Sequence, residues 1–196
     1  MTPELSNILI SAKDLYLKAG RHDLVEAVSL EVSEGEIVSV IGPNGAGKTT
    51  SFHMVVGLIP TDNGKIFINE RDISNLSMDK RARMGIGYLP QEPSVFRGLS
   101  VEENLISILE YTVPLKSERN SFLEGLLTDF NLTNKRKSNV MELSGGQRRR
   151  IEIARALCAK PNFILLDEPF AGVDPMQVNE IKDLISCLLY TSDAAD

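Results

Sequence analysis

Gly42-Pro43-Asn44-Gly45-Ala46-Gly47-Lys48-Thr49 limits what this chain can fold into more than any other stretch. It fits the pattern G-x-x-x-x-G-K-[ST], and its flanks narrow the fold further. Before it, Ile37-Val38-Ser39-Val40-Ile41 is a near-continuous apolar run of the kind buried on both faces of a parallel sheet. After it, Phe52, Val55, Val56 and Ile59 recur at helical spacing, and Gly57 supplies the stop. Strand, glycine loop and helix in this order predict backbone N–H groups turned inward around phosphate oxygens, since glycine has no Cβ to clash. The helix N-terminus adds favourable potential for an anion. Lys48 is suited to the terminal phosphates, and the Thr49 hydroxyl to Mg2+, with Thr50 completing the phosphate-lining set.

A second apolar run, Phe163-Ile164-Leu165-Leu166, ends in Asp167-Glu168. In open α/β sheets ligands bind beyond the carboxyl ends of strands, so these acids are expected to converge with the glycine loop on one nucleotide. Asp167 is suited to the Mg2+ shell. Glu168 is suited to polarise a water for in-line attack on a γ-phosphorus. Together the two motifs predict a nucleotide hydrolase.

Around them the chain reads as alternating elements. Residues 8–32 alternate loosely as short strands, and Glu34-Gly35-Glu36 is a turn. Asp62-Asn63-Gly64 is a hairpin signal before a strand over 65–69, and Gly85-Ile86-Gly87-Tyr88-Leu89 leads to Pro90-Gln91. Ser100 with Glu103 has capping-box spacing and opens a helix carrying Leu105, Ile108 and Leu109. Further helices are expected over 117–132, from Ser144 to about residue 159, and from Asp174-Pro175 onward. Strands alternating with helices, with one inserted helical block, give an α/β class with a parallel core sheet.

Composition excludes several alternatives. A net charge of −6 and a pI near 5.1 argue against a nucleic-acid binder. No apolar run approaches the roughly 18 to 20 residues a membrane-spanning helix needs, and residues 1–11 lack the basic cluster of a secretory signal, so a cytosolic chain is expected. Cys158 and Cys187 are too few for a disulfide or zinc framework, and Cys158 is expected to be half-buried. Arg148-Arg149-Arg150 reads as a solvated helix face, and His53 as a packed or surface histidine rather than a ligand.

Leu143-Ser144-Gly145-Gly146-Gln147 separates this chain from other nucleotide hydrolases, because it resembles the signature pentapeptide of the ATP-binding cassette (ABC) ATPases. A helix N-terminus with a serine and two glycines is a second anion site. The resemblance covers about residues 9–185 and implies the P-loop NTPase fold of that family. It comprises a RecA-like core sheet, an N-terminal antiparallel β-subdomain and an inserted α-helical subdomain. It implies ATP and Mg2+ as ligands and a head-to-tail homodimer in which Ser144, Gly145, Gly146 and Gln147 close over the partner's nucleotide. Gln91 stands at the family's Q-loop position, near metal and attacking water, and Ala171-Gly172-Val173-Asp174 matches the D-loop.

Within the family, likeness is greatest to the ATPases of lipopolysaccharide export transporters. It is carried by 85–92, Phe96-Arg97, Leu99-Ser100-Val101, Met54-Val55-Val56-Gly57, 148–157 and 163–175. The alternatives are the ATPases of branched-chain amino acid importers and soluble non-transport ABC proteins. The resemblance implies integral membrane subunits docking near Phe96 and Arg97, at the cytoplasmic face of the inner membrane. It divides the chain into an ATP-binding core over 8–92 and 160–186 and a signature subdomain over 93–159.

Two departures stand out. The usual adenine-stacking tyrosine position falls on Ala19, leaving Tyr16 as the neighbouring aromatic. The family continues into a later strand with a catalytic histidine, whereas the histidines here are His22 and His53. Residues 187–196 match nothing in the family there, so they are expected to be a non-native end of a truncated, poorly active chain.

Overall fold

The computed structural model describes residues 9–175, 178–179 and 181–185, so the expected non-native end at 187–196 lies outside the described residues. The chain divides into two compact units, one running to Ile86 and the other from Gly87.

In the first unit, β1 (Leu9–Ala19) and β2 (His22–Ser33) form a long antiparallel hairpin where short strands were expected. β3 (Asn63–Ile68) pairs antiparallel with the other edge of β1, and β4 (Arg71–Asp72) closes the order β2-β1-β3-β4. Asp14 sits at φ 47, where the β1–β2 register slips. The extra residue shifts the buried apolar parity of β1 from Ile10 and Ala12 to Leu15. Residues 62–64 are therefore not a hairpin turn. Gly64 has φ 93 and lies inside β3, against the bulge, where a Cβ would stand 2.2 Å from the Asp14 carbonyl oxygen.

Helix α1 (Lys48–Val56) ends at Gly57, with φ 83, and buries Met54, Val55 and Val56. Next comes α2 (Met78–Arg83), whose Arg81 is only 2% exposed. The Arg81 guanidinium donates to the carbonyls of Met54, Val55 and Ser74 at 2.7 Å and of Leu76 at 2.8 Å. It thereby satisfies the last carbonyls of α1 with a positive charge, favoured at a helix C-terminus.

The expected strand over 37–41 does not form. The segment is irregular, with Ile37 58% and Ile41 90% exposed. A buried parallel-type strand is held by ladders to its neighbours, and among the described residues this segment has none. Its apolar content alone does not make it a strand.

In the second unit, β5 (Ile86–Leu89) and β6 (Phe163–Leu166) are hydrogen-bonded neighbours. Helices α3 (Val101–Thr112), α4 (Lys116–Asp129) and α5 (Gly145–Leu157) pack Leu105, Leu109, Leu123, Leu127, Ile151 and Ala154 into one core with Phe130 and Leu132. Cys158 is fully buried in this core rather than half-buried, its Sγ facing the Leu105 carbonyl at 3.8 Å. Ser100 and Ser144 both form complete capping boxes, with Glu103 and Gln147. Pro175 begins a helical segment as expected. No helix among the described residues is long and apolar enough to cross a membrane.

Candidate functional site

Each unit carries some of the candidate residues. In the first, Gly42 to Ala46 form an exposed loop leading through half-buried Gly47 into α1, with Gly45 at φ 81 and Gly47 at φ 80. Gly47 is required sterically, since a Cβ there would lie 2.4 Å from the Leu24 carbonyl oxygen on β2. It is also the N-cap residue of α1, which has no side-chain cap and no acid in its first turn. A helix start with neither is suited to an external anion. The Lys48 ammonium donates to the Gly42 and Pro43 carbonyls at 2.8 Å, so the side chain bends back over the loop it follows. Pro43, Asn44 and Ala46 complete the exposed rim, and Thr49 and Thr50 lie half-buried in the first turn of α1. Tyr16 and Ala19 both lie on β1, and His53 is half-buried in the last turn of α1.

The second unit brings the remaining candidates together around the end of β6. Asp167 is buried, and its amide donates to the Leu89 carbonyl at 3.0 Å. The Tyr88 hydroxyl hydrogen-bonds the Asp167 carboxylate. Desolvation first, and then the Asp167 charge and this bond, push the Tyr88 hydroxyl up to about 12, so it stays protonated as a donor. Glu168 is exposed at φ 45 and accepts from Gln91 Nε2 at 2.7 Å through its Oε2. The structure therefore joins Gln91, the expected Q-loop residue, directly to the expected base.

The signature residues stand at the start of α5. Ser144 Oγ accepts from the Gln147 amide at 3.2 Å, and Gln147 Oε1 accepts from the Ser144 amide at 3.1 Å. A hydroxyl used as an acceptor keeps its own hydrogen for another partner, and Ser144 is exposed. Gly145 approaches the D-loop closely, for a Cβ there would lie 3.1 Å from the Gly172 carbonyl oxygen.

Arg149 corrects the reading of Arg148-Arg149-Arg150 as a solvated face, because it is only 4% exposed. Its guanidinium pairs with buried Glu152 at 2.9 Å and donates to the carbonyls of Pro90 at 2.9 Å and Pro169 at 3.0 Å. Arg148 donates to the Leu143 carbonyl at 2.7 Å, so it too serves the fold. A run of three charges cannot reveal which one a helix turns inward. The i,i+3 spacing of Arg149 and Glu152 was the available signal. Tyr88 was likewise missed, being one β-strand residue among many. Phe96 is 44% exposed and Arg97 is exposed, with Arg155 laying its guanidinium 4.2 Å from the Phe96 ring centre.

A family model described as ABC transporter matches residues 25–171. The chain belongs to the ABC transporter family. Over 180 residues this ABC family chain is 53% identical to the lipopolysaccharide export system ATP-binding protein LptB of Escherichia coli K12, covering 91% of the chain and 75% of that relative. It is 51% identical to a "Probable ABC transporter ATP-binding protein" of Azorhizobium caulinodans, covering 90% of the chain and spanning 63% of that relative's length. Among solved structures it resembles MJ1267, an ATP-binding cassette of an ABC transporter, with a TM-score of 0.84 at 29% identity, covering 94% of this chain and 78% of that one. It also resembles the cassette MJ0796, solved as a dimer in a post-hydrolysis state with ADP and Pi. There the TM-score is 0.80 at 27% identity, covering 93% of this chain and 84% of that one. The fold is thus that of the ABC cassettes, mixed α/β with an antiparallel β-subdomain and helices.

Proposed function

We propose that this chain is the ATP-binding and ATP-hydrolysing subunit of an ABC transporter that powers lipopolysaccharide export. The observation that carries hydrolysis is the 2.7 Å bond between Gln91 and Glu168, which orients a carboxylate at the end of β6. Lys48, the loop amides over 44–50 and the uncapped start of α1 bind the phosphates of ATP. Glu168 accepts a proton from the water that attacks the γ-phosphorus, and Gln91 holds the carboxylate and that water in line. The hydroxyl of Thr49, the amide oxygen of Gln91 and the carboxylate of Asp167 are each the kind of oxygen donor that a hard cation such as Mg2+ takes. Bound there, Mg2+ supplies charge neutralisation on the transferred phosphoryl group. Tyr88 orients Asp167 for that role.

In this reading two copies associate head to tail, and Ser144, Gly145, Gly146 and Gln147 of each close over the partner's ATP. Membrane subunits dock at Phe96 and Arg97, which places the chain peripherally on the cytoplasmic face of the inner membrane, without nucleic acid. The likeness to LptB and to a dimeric cassette supports these steps.

The test is Glu168→Gln, which keeps the side chain's shape and removes its basicity. ATP binding, followed with a fluorescent analogue, is expected to persist while turnover falls by about two to four orders of magnitude. Unchanged turnover would sink the assignment of the base. For the cargo, co-expressed membrane subunits should couple hydrolysis to release of lipopolysaccharide from vesicles, and hydrolysis-driven uptake of branched-chain amino acids instead would overturn it.

A further inference from the structure

Glu152 is 4% exposed on α5 and takes no part in phosphate chemistry or in the signature. Both of its oxygens are nonetheless engaged. Oε1 accepts from the Ser94 amide at 2.7 Å, and Oε2 accepts from Arg149 Nη1 at 2.9 Å. The same guanidinium donates to Pro90 at 2.9 Å, Pro169 at 3.0 Å, Glu168 at 3.3 Å and Asp167 at 3.4 Å, all through main-chain carbonyls. One acid–base pair thus touches both the loop that carries Gln91 and the turn that carries Glu168. Beyond Ser94, Arg155 donates to the Ser94 carbonyl and stacks on Phe96.

We propose that Glu152 is a positioning residue that couples the 90–96 loop to the Glu168 turn through the Arg149 guanidinium. The claim rests on the reading of Glu168 as the base. The guanidinium is planar and presents its N–H groups in a fixed fork, so any rotation that follows Glu152 shifts all four carbonyl contacts together. Glu168 holds a left-handed backbone at φ 45 without being glycine. Such a conformation is strained for a residue with a Cβ and persists only where its surroundings over-determine it. Arg149 supplies that restraint, and Glu152 is its counter-charge. A displacement of Phe96 and Ser94 therefore reaches the base along covalently short steps: Ser94 amide, Glu152 carboxylate, Arg149 fork, Glu168 carbonyl.

Glu152→Gln in the intact protein tests this. Glutamine can still accept from Ser94, but its NH2 then faces Arg149 Nη1, donor against donor. The Ala171 amide, bonded to the Glu168 carbonyl at 2.9 Å, reports on the turn. Its hydrogen exchange is expected to accelerate about tenfold while the Leu105 and Leu109 amides of α3 keep their protection. In parallel kcat for ATP should drop about tenfold with KM within about twofold, because the phosphate loop is untouched. An unchanged Ala171 amide, or equal acceleration of the α3 amides, would reduce Glu152 to an ordinary buried ion pair and overturn the proposal. If Glu152→Gln does not fold, Ser94→Pro removes the amide donor to Glu152 by a different route, leaving both members of the acid–base pair in place. It must accelerate Ala171 exchange in the same way, and no change there also overturns the proposal. Because exchange is read without turnover, it tests the coupling by itself, whereas an error about Glu168 as base would appear in the turnover of Glu168→Gln.

Discussion

Buried arginines do unequal work in this chain. Arg81 fills the space between α1 and α2 and satisfies four carbonyls at 2.7 to 2.8 Å. Arg81→Met takes the guanidinium from all four, the Met54 carbonyl keeping only the Gly57 amide at 3.2 Å, and removing a charged hydrogen-bonding group from such a site typically costs about 3 kcal/mol. The expected outcome is a lower urea midpoint with unchanged slope. Arg81→Lys should recover only part of it, since an ammonium cannot span four acceptors in a plane. Nothing in the local sequence Lys80-Arg81-Ala82-Arg83 distinguishes this arginine from its neighbours. Arg149 within Arg148-Arg149-Arg150 poses the same problem. Periodicity tells which residues share a helix face, but a charged side chain turns inward only where carbonyls from other segments await it. The candidate phosphate-binding and acidic residues were legible for the opposite reason, because their chemistry depends on short contiguous motifs.

At the level of elements, the capped helices followed their sequence signals closely. Ser100 and Glu103 form the expected box, the Glu103 carboxylate accepting from the Ser100 amide and hydroxyl at 2.7 Å. The Ser100 amide first, and then its hydroxyl, hold Glu103 below the ordinary glutamate value of 4.5. A carboxyl depressed in the folded state contributes stability above its unfolded value and loses that contribution as pH falls through the folded one. Stability from this cap should therefore decline as pH drops below 4.5. Ser100→Ala should cost about 1 kcal/mol near neutral pH. Because it removes the hydroxyl donor, the gap between variant and parent should narrow in acid, as read from denaturant midpoints at about pH 7 and about pH 4. Strand signals were less dependable than caps. Phe163–Leu166 forms β6 as expected, whereas the equally apolar 37–41 forms no strand. A cap is completed by residues three apart, but a strand is completed only by another strand.

At the scale of the whole molecule, each unit has its own apolar packing, and among the described residues of the first unit 37–41 are a contiguous apolar stretch left exposed. Amides over 38–41 should exchange at least about a hundredfold faster than those in the β1–β2 ladder. An exposed apolar segment with unpaired backbone also invites association between copies. Ile41→Lys should raise the concentration at which the chain stays monodisperse in sedimentation velocity, and no change would show that association proceeds elsewhere. The sequence by itself determined the family, the candidate phosphate-loop, acidic-pair and signature motifs, and the capped helix starts at Ser100 and Ser144, because each is specified by residues within a few positions of one another. Tertiary structure alone decided that Asp14 bulges beneath Gly64, that Arg81 and Arg149 are buried, that Gln91 meets Glu168 and that 37–41 lacks a ladder. Each of those depends on partners distant in the chain, and the free energy of such a contact exists only once folding has brought both sides together.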